Sequence, residues 1–392
     1  MRYYDALYNV EWELPKIVEK IIHTKEMARL RNITQGIMPN NLNVRGPLPS
    51  RFQHSMGVCI LAKEVLNQNP KLFENGSSNL LTVSALLHDA GNPPFSHLSE
   101  PFLKEVTGHD GESFLIEILD GSETEKVLKE YGIHFETVVK IVTGNWKPFS
   151  DVLNGSMDLD NLDNIARHAR AANLPIHFDP LKIAHAFHFE DEWLLNASLL
   201  PENPFLGNTF LQVKAWKEAR ALVYGGIYSA PHLIMAMMLQ RAVELAHSNR
   251  ELSRDFFTLD DYAATLILQI CNSGTRKLIN RLLRWQVYDE IVSLDYQNPS
   301  EKIKSLAKGY KGRKAVADVL SKKLNISQED VCVLILKGKD FRRVTLPFVA
   351  NGRMSFLDEK PDHPLYRIRV YTNSELNLSK DLVYDLTMQE IS

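Results

Sequence analysis

Apolar residues recur along most of this chain at helical spacing. Over 51–67 the stripe is Val58, Leu61, Ala62 and Val65, one face of a helix. Leu80 to Leu87 is an apolar run that delivers His88-Asp89 and breaks at Gly91, Pro93 and Pro94. Proline cannot sit inside a helix, so the polar pair is expected in the last turn. Phe114, Leu115, Ile118, Leu119, Val138, Val139, Ile141 and Val142 predict core helices between 110 and 150. Farther on, Asp160, Asp163, Asn164, Arg167 and His168 share one face of a helix that Asp158 could cap. Pro15 opens a short helix to His23, Gly36–Ser50 reads as a loop, and 176–213 reads as an irregular connector. Ile234–Ala246 is a Met-rich helix, as suits a core or a subunit contact. From about residue 300 the character changes. Glu301–Leu324 is helical, while Val331–Leu336, Arg343–Val349 and Tyr366–Tyr371 predict strands. The expected fold is mainly α: a helical body over 1–299 and a small α+β C-terminal lobe over 300–392.

A chain of 392 residues with 44% hydrophobic content can bury a large core. Its net charge of −3 argues against a globally basic surface for nucleic acid or membrane. The basic face of Arg276, Lys277, Arg281 and Arg284 reads as solvated, with an anionic effector or a nucleic-acid strand as the alternative. Cys59, Cys271 and Cys332 are odd in number and far apart. That excludes a disulfide framework or a Cys-rich zinc site and suits a reduced, cytoplasmic compartment. Met1–Asp5 lacks the apolar run of a signal peptide, and no stretch has a charge-free, membrane-spanning length.

The candidate chemistry begins at His88-Asp89, because imidazole beside carboxylate suits a divalent metal. On its own the pair also fits a satisfied core contact. Two further stretches change the picture. Arg51-Phe52-Gln53-His54-Ser55-Met56-Gly57-Val58 places Arg51 and His54 three apart. Met157–His168 carries Asp158, Asp160 and Asp163, close carboxylates that repel one another without a cation. A solvated acidic face is the alternative there. One His, then a His-Asp pair, then an Asp, each on its own helix, can converge on one ion.

That order, with R-F-x-H-S-x-G-V before it and D-x-D-x-x-D after it, resembles the HD-domain metal-dependent phosphohydrolases. Within them it is most similar to the deoxynucleoside triphosphate triphosphohydrolases. The likeness runs from Met27–Gln35, similar to Q-R-L-R-x-I-x-Q, to Tyr366–Tyr371, similar to an I-R-V-Y strand. The resemblance implies an HD-domain helical bundle in which His54, His88, Asp89 and Asp160 hold one divalent ion, of Mn, Fe, Ni, Mg or Zn. Arg51 would hold a phosphate oxygen. Gln35 would contact the sugar and exclude a ribose 2′-hydroxyl. Arg220 and Tyr228 match an R-x7-Y element that contacts phosphates and sugar. His97 and Glu100 match H-x-x-D, and His109-Asp110 matches H-E, so His109 with Glu100 or His97 would protonate the leaving group.

Departures from that family are as informative. Asn92 stands where a catalytic histidine is expected, and an amide transfers no proton at neutral pH. Asn161, Asn164 and His168 stand in place of Lys, Tyr and Asp, and Pro231 in place of Lys. The lost charge and ring point to a changed substrate, with His168, Arg167 and Arg170 available to compensate. The implied function is a metal-dependent phosphohydrolase acting on a (deoxy)nucleotide, in the family's form dNTP to deoxynucleoside plus triphosphate. The alternatives are a phosphoesterase for nucleoside monophosphates or nucleic-acid ends, or a nucleotide-binding regulator weakened at Asn92. A homo-oligomer is expected; nucleic acid is not indicated, and no membrane.

Overall fold

The computed structural model describes residues 1–43, 48–71, 77–190, 193–196, 209–229, 232–339, 344–350, 353–359 and 365–392. Three helices, Arg51–Gln68, Ser77–Leu87 and Leu159–Ala171, form its framework. The first starts on a reciprocal cap: Ser50 Oγ accepts from the Gln53 N–H at 3.2 Å, and Gln53 Oε1 accepts from the Ser50 N–H at 3.0 Å. Every residue from His54 to Ala62 is buried, as befits a helix with packing on all sides. The third helix begins where Asp158 accepts from the Asn161 N–H at 2.7 Å. Gly57 lets these two helices meet. A Cβ there would lie 1.9 Å from Asp163 Oδ2 and 2.1 Å from Arg167 Nη2.

The second helix ends at Leu87, so His88-Asp89 falls in the turn just beyond it rather than in its last turn. That turn is held from outside. Arg29 donates to the carbonyls of Ala90, Asn92 and Leu259 at 2.7, 2.9 and 3.1 Å. Phe95 and Ser96 adopt φ of 61° and 51°, and Asp261 secures this left-handed bend by accepting from the Phe95 and Thr34 N–H groups.

The Met-rich segment is a helix, His232–Ser248, with Met235, Met237 and Met238 in the core. Residues 176–213 hold a helix, Pro180–His185, and the hairpin β3 (Phe187–Glu190) and β4 (Trp193–Asn196); residues 197–208 lie outside the described residues. A hairpin of β1 (Arg2–Asp5) and β2 (Val10–Glu13), not anticipated from periodicity, opens the chain.

The C-terminal lobe is built on an antiparallel sheet, β5 (Asp289–Tyr296), β6 (Val331–Lys337) and β9 (Tyr366–Thr372), in the order β5-β9-β6. A second hairpin pairs β7 (Val344–Ala350) with β8 (Arg353–Glu359), and Arg343 lies outside the described residues. Strand β5 comes from the N-terminal side of the expected boundary at 299. Alternate residues of β6 face opposite ways. Val331, Val333 and Ile335 pack on the helices Tyr310–Leu324 and Lys380–Ile391, whereas Cys332 and Leu334 join the core of the helical body. The basic face of 276–284 helps to fasten the two: Lys277 pairs with Asp330 at 2.9 Å and Arg281 with Glu375 at 3.1 Å. Among the described residues no single helix is long and apolar enough to cross a membrane, and all three cysteines are free.

Candidate metal centre

The three framework helices bring their polar residues to one point. His54 Nε2 and His88 Nε2 are 3.2 Å apart, and Asp89 Oδ2 lies 3.6 Å from each. Asp160 Oδ1 is 2.9 Å from His54 Nε2 and 3.9 Å from His88 Nε2. Ligand atoms about 2.1 Å from one ion are about 3.0 Å apart at octahedral angles and about 3.4 Å at tetrahedral ones, and His54, His88 and Asp89, whose donor atoms all lie within 4.8 Å of one another, fit that pattern, with Asp160 beside His54. Both imidazoles are oriented from behind. His54 Nδ1 donates to Asp163 Oδ1 at 2.7 Å and His88 Nδ1 to the Ala85 carbonyl at 2.8 Å. Each Nε2 therefore presents its lone pair to the shared point. The site attracts positive charge: burial disfavours a His54 imidazolium, yet Asp160 and Asp163 outweigh it and lift the pKa to about 9.

Asp89, a candidate ligand, is held by two side chains. Arg51 Nη1 donates to its Oδ2 at 2.6 Å and Asn92 Nδ2 to its Oδ1 at 2.5 Å. Burial would raise the Asp89 carboxyl, but Arg51, His88 and His54 hold it well below the usual carboxylate range. Asn92 thus faces the cavity as expected, and its amide orients a ligand. Arg51 also donates to Ser96 Oγ at 3.0 Å.

Behind His54 stands a buried chain of charge. Arg167 donates to Asp163 Oδ1 at 2.7 Å and to Asp5 Oδ2 at 2.7 Å, and Tyr8 donates to Asp163 Oδ2 at 2.6 Å. Arg167 therefore serves the centre's framework and is not available to a substrate.

Beside the centre opens a cavity of about 290 Å³. Gln35, Asn164 and His168 line one end of it; Arg51, His88, Asp89, Asn92 and Asp160 line the other. Gln35 Nε2 donates to Asn164 Oδ1 at 3.1 Å, and His168 Nδ1 donates to the Asn164 carbonyl at 2.9 Å. Gln35 Oε1 and His168 Nε2 are buried and make no hydrogen bond among the described residues. Burial first, then the charges of His54 and Arg51, lower the His168 pKa. The ring is neutral with its proton on Nδ1, so both unpartnered atoms are acceptors.

Of the expected acid–base residues, His97 and Glu100 reach the cavity and His109 does not. His97 and Glu100 pair at 3.0 Å on the cavity wall. Burial works to raise Glu100, but His97 and the Gly111 N–H hold it at about 2, so it stays ionised. His109 does not line the cavity; its Nε2 pairs with Glu117 at 3.2 Å. The cause is local. Asp110 Oδ1 accepts from both the N–H and the Oγ of Ser113, and this turn aims residue 109 outward and residue 112 inward. Glu112, which the sequence reading passed over, lines the cavity. It is exposed by area, yet lost hydration, followed by the like charges of Asp110, Asp160, Glu100 and Asp89, pushes its pKa up to about 7.

Three expected substrate contacts are engaged with protein groups. Arg220 is buried and donates to Asn161 Oδ1 at 3.2 Å and to the Lys339 carbonyl at 3.0 Å. The Asn161 amide donates to Asp158 at 2.7 Å, behind the cavity. Tyr228 lines the cavity, but its hydroxyl accepts from the Lys339 N–H at 2.9 Å. Lys339 lines the cavity as well and was not anticipated; no local sequence signal connects it to residues a hundred or more positions away. Pro231 lies outside the described residues.

Comparison with known proteins finds two matching family models. Residues 51–168 match the model of the HD domain, and residues 218–362 match that of the HD-associated region, which runs across the boundary expected at 299. The chain is 28% identical over 293 residues to an uncharacterized protein of Methanocaldococcus jannaschii, covering 72% of this chain and 58% of that one. It is 25% identical over 210 residues to the deoxyguanosinetriphosphate triphosphohydrolase-like protein 1 of Deinococcus radiodurans, covering 51% and 48% respectively. The chain spans about half the length of the curated relatives it matches. A solved phosphohydrolase from Bacteroides thetaiotaomicron superposes with a TM-score of 0.66 at 17% identity, over 95% of this chain and 99% of that one. A hypothetical protein from Aquifex aeolicus superposes with a TM-score of 0.69 at 18% identity, over 100% of both chains. At such identities the two structures show a shared fold.

Proposed function

We propose that this chain, an HD-domain protein, is a metal-dependent phosphohydrolase that acts on a nucleotide. The observation that supports the reading is the layout of one cavity. The His54, His88 and Asp89 donors, with Asp160 beside His54, stand at one end, suited to an ion and a phosphoryl group. Two buried, unpartnered acceptors, Gln35 Oε1 and His168 Nε2, stand at the other and call for donors such as sugar hydroxyls.

At His54, His88, Asp89 and Asp160 the chemistry supplied by a divalent ion is polarisation of a phosphoryl oxygen and activation of water. The chain's own groups do the rest. Asp163 and Ala85 hold the imidazoles in the ligating tautomer. Arg51 fixes Asp89 and brings positive charge to the phosphate end. Glu112, half-protonated near neutral pH, is the group placed to give a proton to the leaving oxygen. Gln35 and His168 orient the sugar by accepting from its hydroxyls. Release of intact triphosphate from a dNTP is the form suggested by the names of the Deinococcus relative and of a Dictyostelium SAMHD1 homolog. Asn161 and Asn164 replace the charged and aromatic groups of that family, which keeps monophosphates and nucleic-acid ends within the reading.

The test is a product assay on the purified protein, with its metal identified by elemental analysis. Each dNTP, NTP and NMP is incubated with Mn²⁺ or Mg²⁺, beside an Asp89→Ala control. Nucleoside plus triphosphate, absent in the control, is the expected result. Inorganic phosphate from monophosphates would make the protein a nucleotidase. No product from any substrate would refute nucleotide hydrolysis and leave a binding role. We also expect a homo-oligomer. Tyr262, Leu266 and Ile270 recur along one face of the helix Asp261–Ile270 and are 50, 64 and 78% exposed, a seat for a second copy. Light scattering on wild type and Leu266→Asp tests this: a monomer in both refutes it.

A further inference from the structure

We propose that Lys339, carried by the C-terminal lobe, binds the substrate's phosphate anion, so that the lobe and the helical body share one site. The proposal rests on the phosphohydrolase reading above and extends it to a residue outside the HD domain. Lys339 follows β6 and lies at the mouth of the cavity. Its backbone is held from both sides: the N–H donates to Tyr228 Oη at 2.9 Å, and the carbonyl accepts from Arg220 Nη2 at 3.0 Å. These holders are themselves stacked, with the Arg220 guanidinium 4.5 Å from the Tyr224 ring and the Arg367 guanidinium 4.5 Å from the Tyr228 ring. Before it, the Gly338 N–H donates to the Leu365 carbonyl at 2.8 Å.

The side chain is left free while the backbone is pinned. Lys339 is exposed and lines the cavity, and its ammonium has no ion-pair partner among the described residues. It is near enough to Glu100 to contribute to that carboxylate's lowered pKa. The charge balance of the cavity calls for such a group. Asp89, Glu100, Glu112 and Asp160 line it, against the cations Arg51 and Lys339, and Arg51 is bound to Asp89 at 2.6 Å. Even with an ion on Asp89 and Asp160 and with Glu112 half-protonated, the phosphates of a polyphosphate beyond the ion need a cation that is not already paired. Lysine suits the task, as a compact charge on a flexible stem that meets phosphate without demanding a fixed angle.

The experiment is calorimetric titration of the metal-loaded, full-length chain with orthophosphate, pyrophosphate and tripolyphosphate. Wild type is compared with Lys339→Ala, Lys339→Arg and Tyr228→Phe, each checked for an unchanged melting temperature. Expected are a roughly tenfold weaker tripolyphosphate affinity in Lys339→Ala, near-full retention in Lys339→Arg, and a shallower salt dependence in the alanine variant. Tyr228→Phe, which removes the acceptor that fixes the backbone, should fall between them. Equal tripolyphosphate affinity in wild type and Lys339→Ala overturns the proposal, and so does a wild type that binds none of the three anions. Because the titration needs no turnover, a chain that binds anions through Lys339 but hydrolyses nothing would sink the enzymatic reading alone. A chain that hydrolyses nucleotides with the same KM after Lys339→Ala would sink this one alone.

Discussion

Asp163 shows how much one residue outside the donor set carries. It is wholly buried and accepts from His54, Arg167 and Tyr8. Asp163→Asn removes the charge that holds Arg167 and sets an NH2 donor against one of the groups that donate to the two carboxylate oxygens. We expect metal affinity to fall by roughly 10–100-fold and stability by about 3 kcal/mol, read by metal titration and by denaturant unfolding. Glu112 governs a different observable. Its folded pKa of about 7 lies above the ordinary carboxylate value, so it is protonated below about pH 7 and loses its proton above. Turnover should therefore fall as pH rises through about 7, and Glu112→Gln should flatten that limb and lower kcat roughly hundredfold. The limb persisting in Glu112→Gln would exclude Glu112 as the acid. The stability contribution of Glu112 has the same sign: present in full below its unfolded pKa, near 4.5, and lost as pH rises through about 7.

At the scale of elements, the helices were legible and the turns between them were not. The apolar stripes of 51–67, 80–87 and 234–246 each became a helix, because burial of one face dictates where it lies. The second helix ended at Leu87, before the His88-Asp89 pair expected in its last turn, since the His88–Ser96 turn is shaped by Arg29 and Asp261 from distant segments. The 108–113 turn likewise decided that Glu112 and not His109 reaches the cavity. Gly57 marks the contact on which the centre depends. Gly57→Ala would drive a methyl group into Asp163 and Arg167, two side chains with no room to retreat. We expect a loss of roughly 1–3 kcal/mol together with weaker metal binding, seen as a lowered melting temperature in both the loaded and the stripped protein. An unchanged melting temperature would mean that the two helices can separate freely.

At the scale of the whole molecule, the metal centre joins three helices and, through Asp5 and Tyr8, the opening hairpin. An ion bound only by the folded chain should stabilise all of it, by about 2.7 kcal/mol at a hundredfold excess over Kd. A chelator should lower the melting temperature of wild type and leave Asp89→Ala nearly unmoved; equal shifts in the two would place the ion elsewhere. The residue types and order of His54, His88-Asp89 and Asp160 could be read along the chain, since a donor set is a matter of chemistry and each donor sits on a segment whose periodicity sets its face. The mainly helical body and the strands at 331–336 and 366–371 could be read for the same reason. Lys339, Glu112 and the Asp5–Arg167–Asp163 chain could not. Their roles depend on distances between segments up to 162 positions apart, and no local period encodes such a distance. Strand β5 was missed because its partner β9 lies some seventy residues later, and a strand paired so far away earns its place from the sheet and not from its own residues. Local chemistry along the chain named the candidate donors, and long-range packing chose their supports and the groups that share the cavity with them.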